Sequence, residues 1–173
     1  MSGGRCVSNM TKDTITLRKA TIADLAAIND IIDAAVMGWR LPERVKRLAL
    51  PTYRYTPHDL ETLELVIAEN TERQVIGIAA WGPVGPVDAI EGYSALLLHG
   101  IYVKPDQQHQ GIGTQLLDAA EQAAIEKECS GLMVKAQASA AGFFLSQGMQ
   151  PLEVVNEKRD YAYRYWKLLD RKG

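Results

Sequence analysis

Cysteine is scarce: the 173-residue chain has two, Cys6 and Cys129. That excludes a disulfide framework or a cysteine-rich zinc site and suits a reducing cytoplasm. A surplus of one charge is also missing. Nineteen Lys and Arg against twenty-one Asp and Glu leave a net charge of -2, without the basic footprint that a nucleic-acid backbone requires. The longest mostly apolar stretch, residues 94–103, is interrupted by His99 and Gly100 and falls short of the roughly 20 residues a membrane span needs. Residues 1–13 hold no apolar core of the kind a secretory signal carries. Internal repeats and low-complexity linkers are absent. What remains is 47% hydrophobic and 23% charged, ordinary values for one globular domain. The expected organisation is a flexible N-terminal tail over residues 1–13 and one domain over residues 14–173.

Residues 14–18 alternate polar with apolar or β-branched side chains, the period of a half-buried strand. Thr21 to Asp24 has the form of a capping box, after which Leu25, Ile28, Ile32, Val36 and Trp39 recur at helical spacing, giving a helix to about Met37. Residues 40–55 lack a clear period apart from a short helix near 43–48. They carry Arg40, Arg44, Arg47 and Arg54 beside Tyr53, Tyr55 and two prolines. Thr56-Pro57 reads as an N-cap with proline at the first helical position. Strands over 64–69 and 74–81, joined by a polar turn, form an antiparallel hairpin. Residues 95–103 are apolar on both faces, the pattern of a central strand covered from both sides. A helix then runs from the Gly111–Gly113 region to about Cys129, followed by a strand over 132–135 and a helix over 138–147 stopped by Gly148. Two last strands lie near 152–155 and 161–168. This order predicts a mixed α/β sheet with helices on its faces.

Chemistry concentrates where the central strand turns into its helix, at Asp106-Gln-Gln-His-Gln-Gly-Ile-Gly-Thr114. The first turn of a helix presents unpaired N–H groups and a partial positive charge, and glycine lets a phosphate approach the backbone. A ligand with a pyrophosphate fits such a turn, although a tight turn alone also accounts for Gly-x-Gly. A nucleotide P-loop is disfavoured because no lysine follows Gly113. The dinucleotide fingerprint is disfavoured because its third glycine would fall at Leu116.

Gln108-x-x-Gly111-x-Gly113, set between a strand ending Ile101-Tyr102-Val103-Lys104-Pro105-Asp106 and a helix, resembles the coenzyme-A-binding segment of the GNAT superfamily of acyl-CoA-dependent N-acyltransferases. The opening strand and helix, the hairpin, and the Ala140-x-x-Phe143-Phe144-x-x-x-Gly148-Met149 segment look like the same family, so the likeness spans nearly the whole chain. It implies a single-domain α/β (α+β) fold, with a mixed, mostly antiparallel sheet of about six or seven strands flanked by helices. It also implies acetyl-CoA as cofactor. The pyrophosphate would rest on the amides of His109, Gln110, Gly111, Ile112, Gly113 and Thr114 beside Gln108, and the pantetheine on backbone near Ile101, Tyr102 and Val103. The strands at 95–103 and 132–135 would splay to admit it. The implied reaction is acetyl transfer to a primary amine of a small molecule by direct attack in a ternary complex. A non-catalytic acyl-CoA sensor and a protein N-acetyltransferase are the alternatives. The implied partner is a small-molecule amine, with no nucleic acid, membrane or metal, and a homodimer is compatible with the family.

An alkylamine, with a pKa of about 10.4, must lose a proton before it attacks. The carboxylate that some relatives use as base aligns with Leu97, and His99, two residues on, is the nearest substitute. A hydrogen-bonded core histidine is the competing reading. The tyrosine that many relatives use to protonate the leaving thiolate aligns with Phe144, which cannot donate. Ser139, Tyr161, Tyr163 and Tyr165 are the substitutes, with Tyr163 carried forward as candidate acid, although alternating tyrosines equally suit a packed strand. A thiolate with a pKa of about 8.5 also leaves without help. Trp39, Tyr53, Tyr55 and Trp81 are candidates for an aromatic acceptor wall, and Arg40, Arg44, Arg47 and Arg54 for contacts with an acidic group on the acceptor, or else for a solvated basic face.

Overall fold

The computed structural model describes residues 14–136, 140–153 and 163–169. The expected tail over 1–13, Ser139, Tyr161 and residues 154–155 lie outside them. Strand β1 (Thr16–Lys19) leads through a short 3-10 turn (Ile22–Asp24) into helix α1 (Leu25–Met37). The entry is fixed by Asp24, whose carboxylate accepts from the Thr21 main-chain N–H at 2.7 Å and from two nitrogens of Arg18 at 2.9 Å each. One acid thus joins β1 to the helix start.

Helix α2 (Glu43–Tyr53) is longer than the sequence suggested, because the chain stays helical past the 43–48 stretch and carries Pro51 in its last turn. Little of it is buried, so its sequence has no clear apolar period. Helix α3 (Pro57–Thr62) has the expected cap, with Thr56 N–H donating to Asp59 Oδ2 at 2.7 Å and proline in its first turn. There follow β2 (Glu64–Glu69), β3 (Val75–Pro83), β4 (Ala95–Val103), a 3-10 turn (Pro105–Gln107), α4 (Ile112–Glu126), β5 (Gly131–Lys135), α5 (Ala141–Ser146), β6 (Gln150–Pro151) and β7 (Arg164–Leu168). The described part of β6 precedes the expected 152–155, although Leu152 N–H still pairs with Arg164 O at 2.9 Å.

These strands form one seven-stranded sheet in the order β1-β2-β3-β4-β5-β7-β6. Every pair is antiparallel except β4–β5. Ile28, Ile32 and Val36 of α1 cover one face with Leu65, Ile67 and Ile78. Ile112, Leu116, Leu117 and Ala120 of α4 cover the other with Leu96, Leu98 and Leu132. No helix among the described residues is long and apolar enough to cross a membrane.

Candidate active site

The parallel β4–β5 pairing runs from Ala95↔Gly131 to Leu98↔Val134 and stops. On the other side of β4, Trp81 pairs with Leu98 but Ala80 pairs with Gly100, so three β4 residues span two of β3. His99 is the extra residue of this β-bulge, which adds local twist to β4. Beyond Leu98, β4 has no β5 partner among the described residues. That corrects the reading of residues 95–103 as covered on both faces: Leu96 to Leu98 are buried, but from His99 onward the strand is exposed or half-buried because its pairing with β5, a strand that ends at Lys135, stops at Leu98.

Lys104 N–H donates to Ile76 O at 2.8 Å, toward β3. Strand alternation then turns the main-chain groups of Ile101 and Val103 toward the open edge and those of Tyr102 toward β3. Gln108 Nε2 reaches Val103 O at 3.4 Å, so the side chain flagged in the motif borders that edge.

The turn that follows is shaped by two left-handed residues, His109 at φ 66° and Gly111 at φ 80°. Gly111 is the N-cap of α4, and a Cβ there would meet nothing within 4 Å. The space over it is open. Gln115 N–H bonds to Gly111 O at 3.0 Å, whereas the N–H groups of Gly111, Ile112, Gly113 and Thr114 find no main-chain acceptor among the described residues. Gly113 admits the Phe143 ring, which a Cβ would approach to 3.4 Å. Thr114 Oγ1 accepts from Gln147 Nε2 at 3.2 Å, tying α5 to the same turn. Ile112 is buried and anchors α4 in the core, so its contribution to a ligand is its main chain alone.

The edge opens on a cleft of about 1070 Å³, lined by His99 to Val103, Pro105 and Gln108, at the start of the turn, on one wall and by Val134, Lys135, Ala136 and Phe144 on the other. The end of α1 and the turn after it close the cleft's far side with Trp39, Arg40 and Leu41, with Tyr53 beside them. His99 is exposed to the cleft. Partial withdrawal from water holds its pKa below the ordinary histidine value, the Lys135 ammonium lowers it further, and Asp59 opposes both. Lys135 is in turn bound by the buried Asp88 carboxylate at 2.5 Å. Sequence reasoning missed this pair, whose sole signal is a lysine closing the apolar run Leu132-Met133-Val134.

Leu97 is buried with Met133 and Trp166 and offers no proton acceptor. Phe144 is buried and stacked on Tyr165, ring centroids 6.0 Å apart. Tyr163 is 44% exposed and is not among the cleft-lining residues, so the structure does not bring it to His99. Of the expected aromatic wall, Trp39 and Tyr53 meet edge to face at 5.0 Å beside the cleft. Trp81 does not join them: it is buried on the α4 face, its Nε1 donating to Glu64 Oε2 at 2.7 Å. Tyr55 lies in the α1-side core, where burial raises its pKa. Among the four arginines, Arg54 is bound by Asp33 at 2.7 Å, Arg47 lies 3.5 Å from Glu43, and Arg40 alone lines the cleft.

The model of the acetyltransferase (GNAT) family matches residues 31–149. Two curated relatives, L-methionine sulfoximine/L-methionine sulfone acetyltransferases of Pseudomonas paraeruginosa PA7 and Pseudomonas aeruginosa PAO1, are each 30% identical over 163 residues, 90% of this chain and 90% of theirs. Among solved structures, a PaiA N-acetyltransferase of Thermoplasma acidophilum in complex with coenzyme A superposes with a TM-score of 0.73 at 15% identity, covering 90% of this chain and 99% of its own. A GNAT-family acetyltransferase of Brucella melitensis in complex with acetyl-CoA gives 0.63 at 19% identity, covering 92% and 90%. The open β4 edge, the glycine-led turn and these likenesses agree: the chain belongs to the GNAT family of acetyltransferases, enzymes whose acyl donor is acetyl-CoA.

Proposed function

We propose that this enzyme acetylates a primary amine of a small molecule, by direct attack within a ternary complex, and that it works in the cytoplasm. The observation that carries the reading is that the Ile101–Val103 edge, which β5 leaves uncovered, leads into a glycine-led turn whose Gly111 to Thr114 N–H groups have no main-chain acceptor among the described residues. The turn fits a diphosphate: its Gly111 to Thr114 N–H groups have no main-chain acceptor among the described residues, and the space over Gly111 is open. Two left-handed residues flank Gln110, and left-handed residues alternating with others are how successive main-chain N–H groups form anion-binding concavities. Gly111 to Thr114 would hold the diphosphate, with His109 and Gln110 shaping the loop, and the main chain of Ile101 and Val103 would pair with the pantetheine amides. When bound, acetyl-CoA supplies a thioester, an activated acyl group with a thiolate leaving group.

His99 receives the proton of the attacking amine, directly or through water. Its lowered pKa keeps the imidazole neutral at neutral pH, the state in which it can accept. Phe144 cannot donate and Tyr163 is not among the described cleft-lining residues, so neither would protonate the thiolate that acetyl-CoA would supply, and a thiol pKa of about 8.5 would let that group leave without a proton. Orientation in the cleft then supplies the larger part of the rate. The Pseudomonas relatives, which act on amino-acid analogues, support a small acceptor.

Calorimetry with acetyl-CoA, CoA and NADH, together with thiol release over an amine panel, tests the reading. Binding of the first two and turnover with a small amine are expected. Preference for NADH would overturn the donor site, and turnover with peptide amines alone would overturn the acceptor.

A further inference from the structure

Two cations line the cleft, Arg40 and Lys135, with no Asp or Glu among the described residues that line it. Lys135 is engaged by Asp88, which Arg164 Nη1 also approaches to 4.0 Å. Arg40 has no ion pair or side-chain hydrogen bond among the described residues. Nor is it needed to cap α1. That task belongs to the buried Lys46, whose Nζ donates to Met37 O at 2.6 Å. The backbone that carries Arg40 is held in place, with Trp39 N–H bonded to Val36 O at 3.1 Å and Leu41 N–H to Trp39 O at 2.9 Å. Its neighbours on both sides, Trp39 and Leu41, line the same cleft. A guanidinium with no partner among the described residues, carried on a hydrogen-bonded turn that lines a cleft without Asp or Glu among those residues, is suited to receive an anion.

We propose that Arg40 selects the acceptor by pairing with its carboxylate, so that the enzyme acts on α-amino acids or close analogues whose uncharged side chain packs on the Trp39–Tyr53 pair. This rests on the small-amine reading above and narrows it. A diamine would bring a second cation into a cleft with no acidic side chain among its described lining residues, which disfavours that class. Arg44, which does not line the cleft, serves as the control position.

The experiment is thiol release from acetyl-CoA with neutral α-amino acids, L-methionine sulfone among them, each paired with its carboxamide, and with simple diamines alongside. Wild type is expected to prefer each acid over its carboxamide. In Arg40→Gln the ratio of the two kcat/KM values falls by about tenfold or more, the usual worth of a charge-assisted pair. The fall comes through KM, Arg40→Lys recovers part of the ratio, and Arg44→Gln leaves it as in wild type. Calorimetry confirms that Arg40→Gln still binds acetyl-CoA as wild type does. Equal turnover of acid and carboxamide, preference for diamines, a ratio that survives Arg40→Gln, or weakened acetyl-CoA binding in that variant would each overturn the role of Arg40 while leaving the small-amine reading in place. No turnover with any amine would instead remove that reading, and this inference with it.

Discussion

The ring of Tyr102 lies over Gly100: a Cβ on Gly100 would stand 2.7 Å from Tyr102 Cε2 and 3.2 Å from its Cζ. Tyr102 also packs against the α1-side core, so the ring has little room to withdraw. Gly100→Ala is expected to destabilise the protein by about 1–3 kcal/mol, the usual cost of overpacking. By shifting the bulge it also weakens acetyl-CoA binding. Denaturant unfolding and calorimetry check both, and a variant unchanged in both would show that the ring moves freely.

Gly111→Ala isolates a different cost. Its Cβ would meet no atom, so the penalty is the left-handed backbone alone, about 1–2 kcal/mol. If the diphosphate sits on this turn, affinity for acetyl-CoA also drops, by about tenfold or more, because the new methyl stands where the ligand approaches. Wild-type affinity in the folded variant would place the diphosphate elsewhere.

His99 has a pKa held below its ordinary value by partial desolvation and then by Lys135. As base it works when neutral, so kcat/KM should rise with pH along a limb centred below about 6.5 and stay level toward neutrality. Lys135→Met removes one lowering cause, so the limb moves up toward 6.5, and His99→Gln abolishes it. A limb that survives His99→Gln rules the imidazole out as base. The same shift makes the unfolded chain the better proton binder, so His99 also costs stability as pH falls through about 6.5.

Asp24 is held at a pKa of about 2, chiefly by hydrogen bonds from Arg18, against the opposing effect of burial. A depressed carboxylate stabilises the fold above its unfolded value of 3.8 and loses that contribution as pH falls toward 2. Because the Arg18 side chain is 37% exposed, solvent screening limits the contribution to about 1 kcal/mol. Asp24→Asn should therefore unfold more easily than wild type at neutral pH, and the two should converge near pH 2 in urea titrations.

The sheet and the glycine-led turn were legible because local periods and caps carry them: alternation in 64–69, the capping box at Thr21, and Gly111 where only a left-handed backbone closes the turn. The resemblance of Gln108 to Gly113 then supplied a cofactor that the residues alone did not. Trp81 was misplaced because β3 is buried on both faces, so its composition does not tell which way an aromatic points. The arginines of 40–54 look alike in sequence. Three-dimensional partners such as Asp33 separate them, and no local pattern encodes those partners. Gly100 interrupts the apolar run 94–103 in sequence, but the bulge at His99 beside it and the end of β4–β5 pairing at Leu98↔Val134 depend on partner strands far along the chain.

That early end of pairing gives the empty enzyme a raw margin in the middle of its sheet as well as at its rims. An extended stretch of foreign backbone could zip onto such a margin, which makes the unliganded form the one prone to sticking. A donor that fills the gap is then a guest strand that completes the fold. At a hundred times its dissociation constant it would add about 2.7 kcal/mol to stability, so the heat tolerance of this protein in a cell should follow the cell's supply of acetyl-CoA.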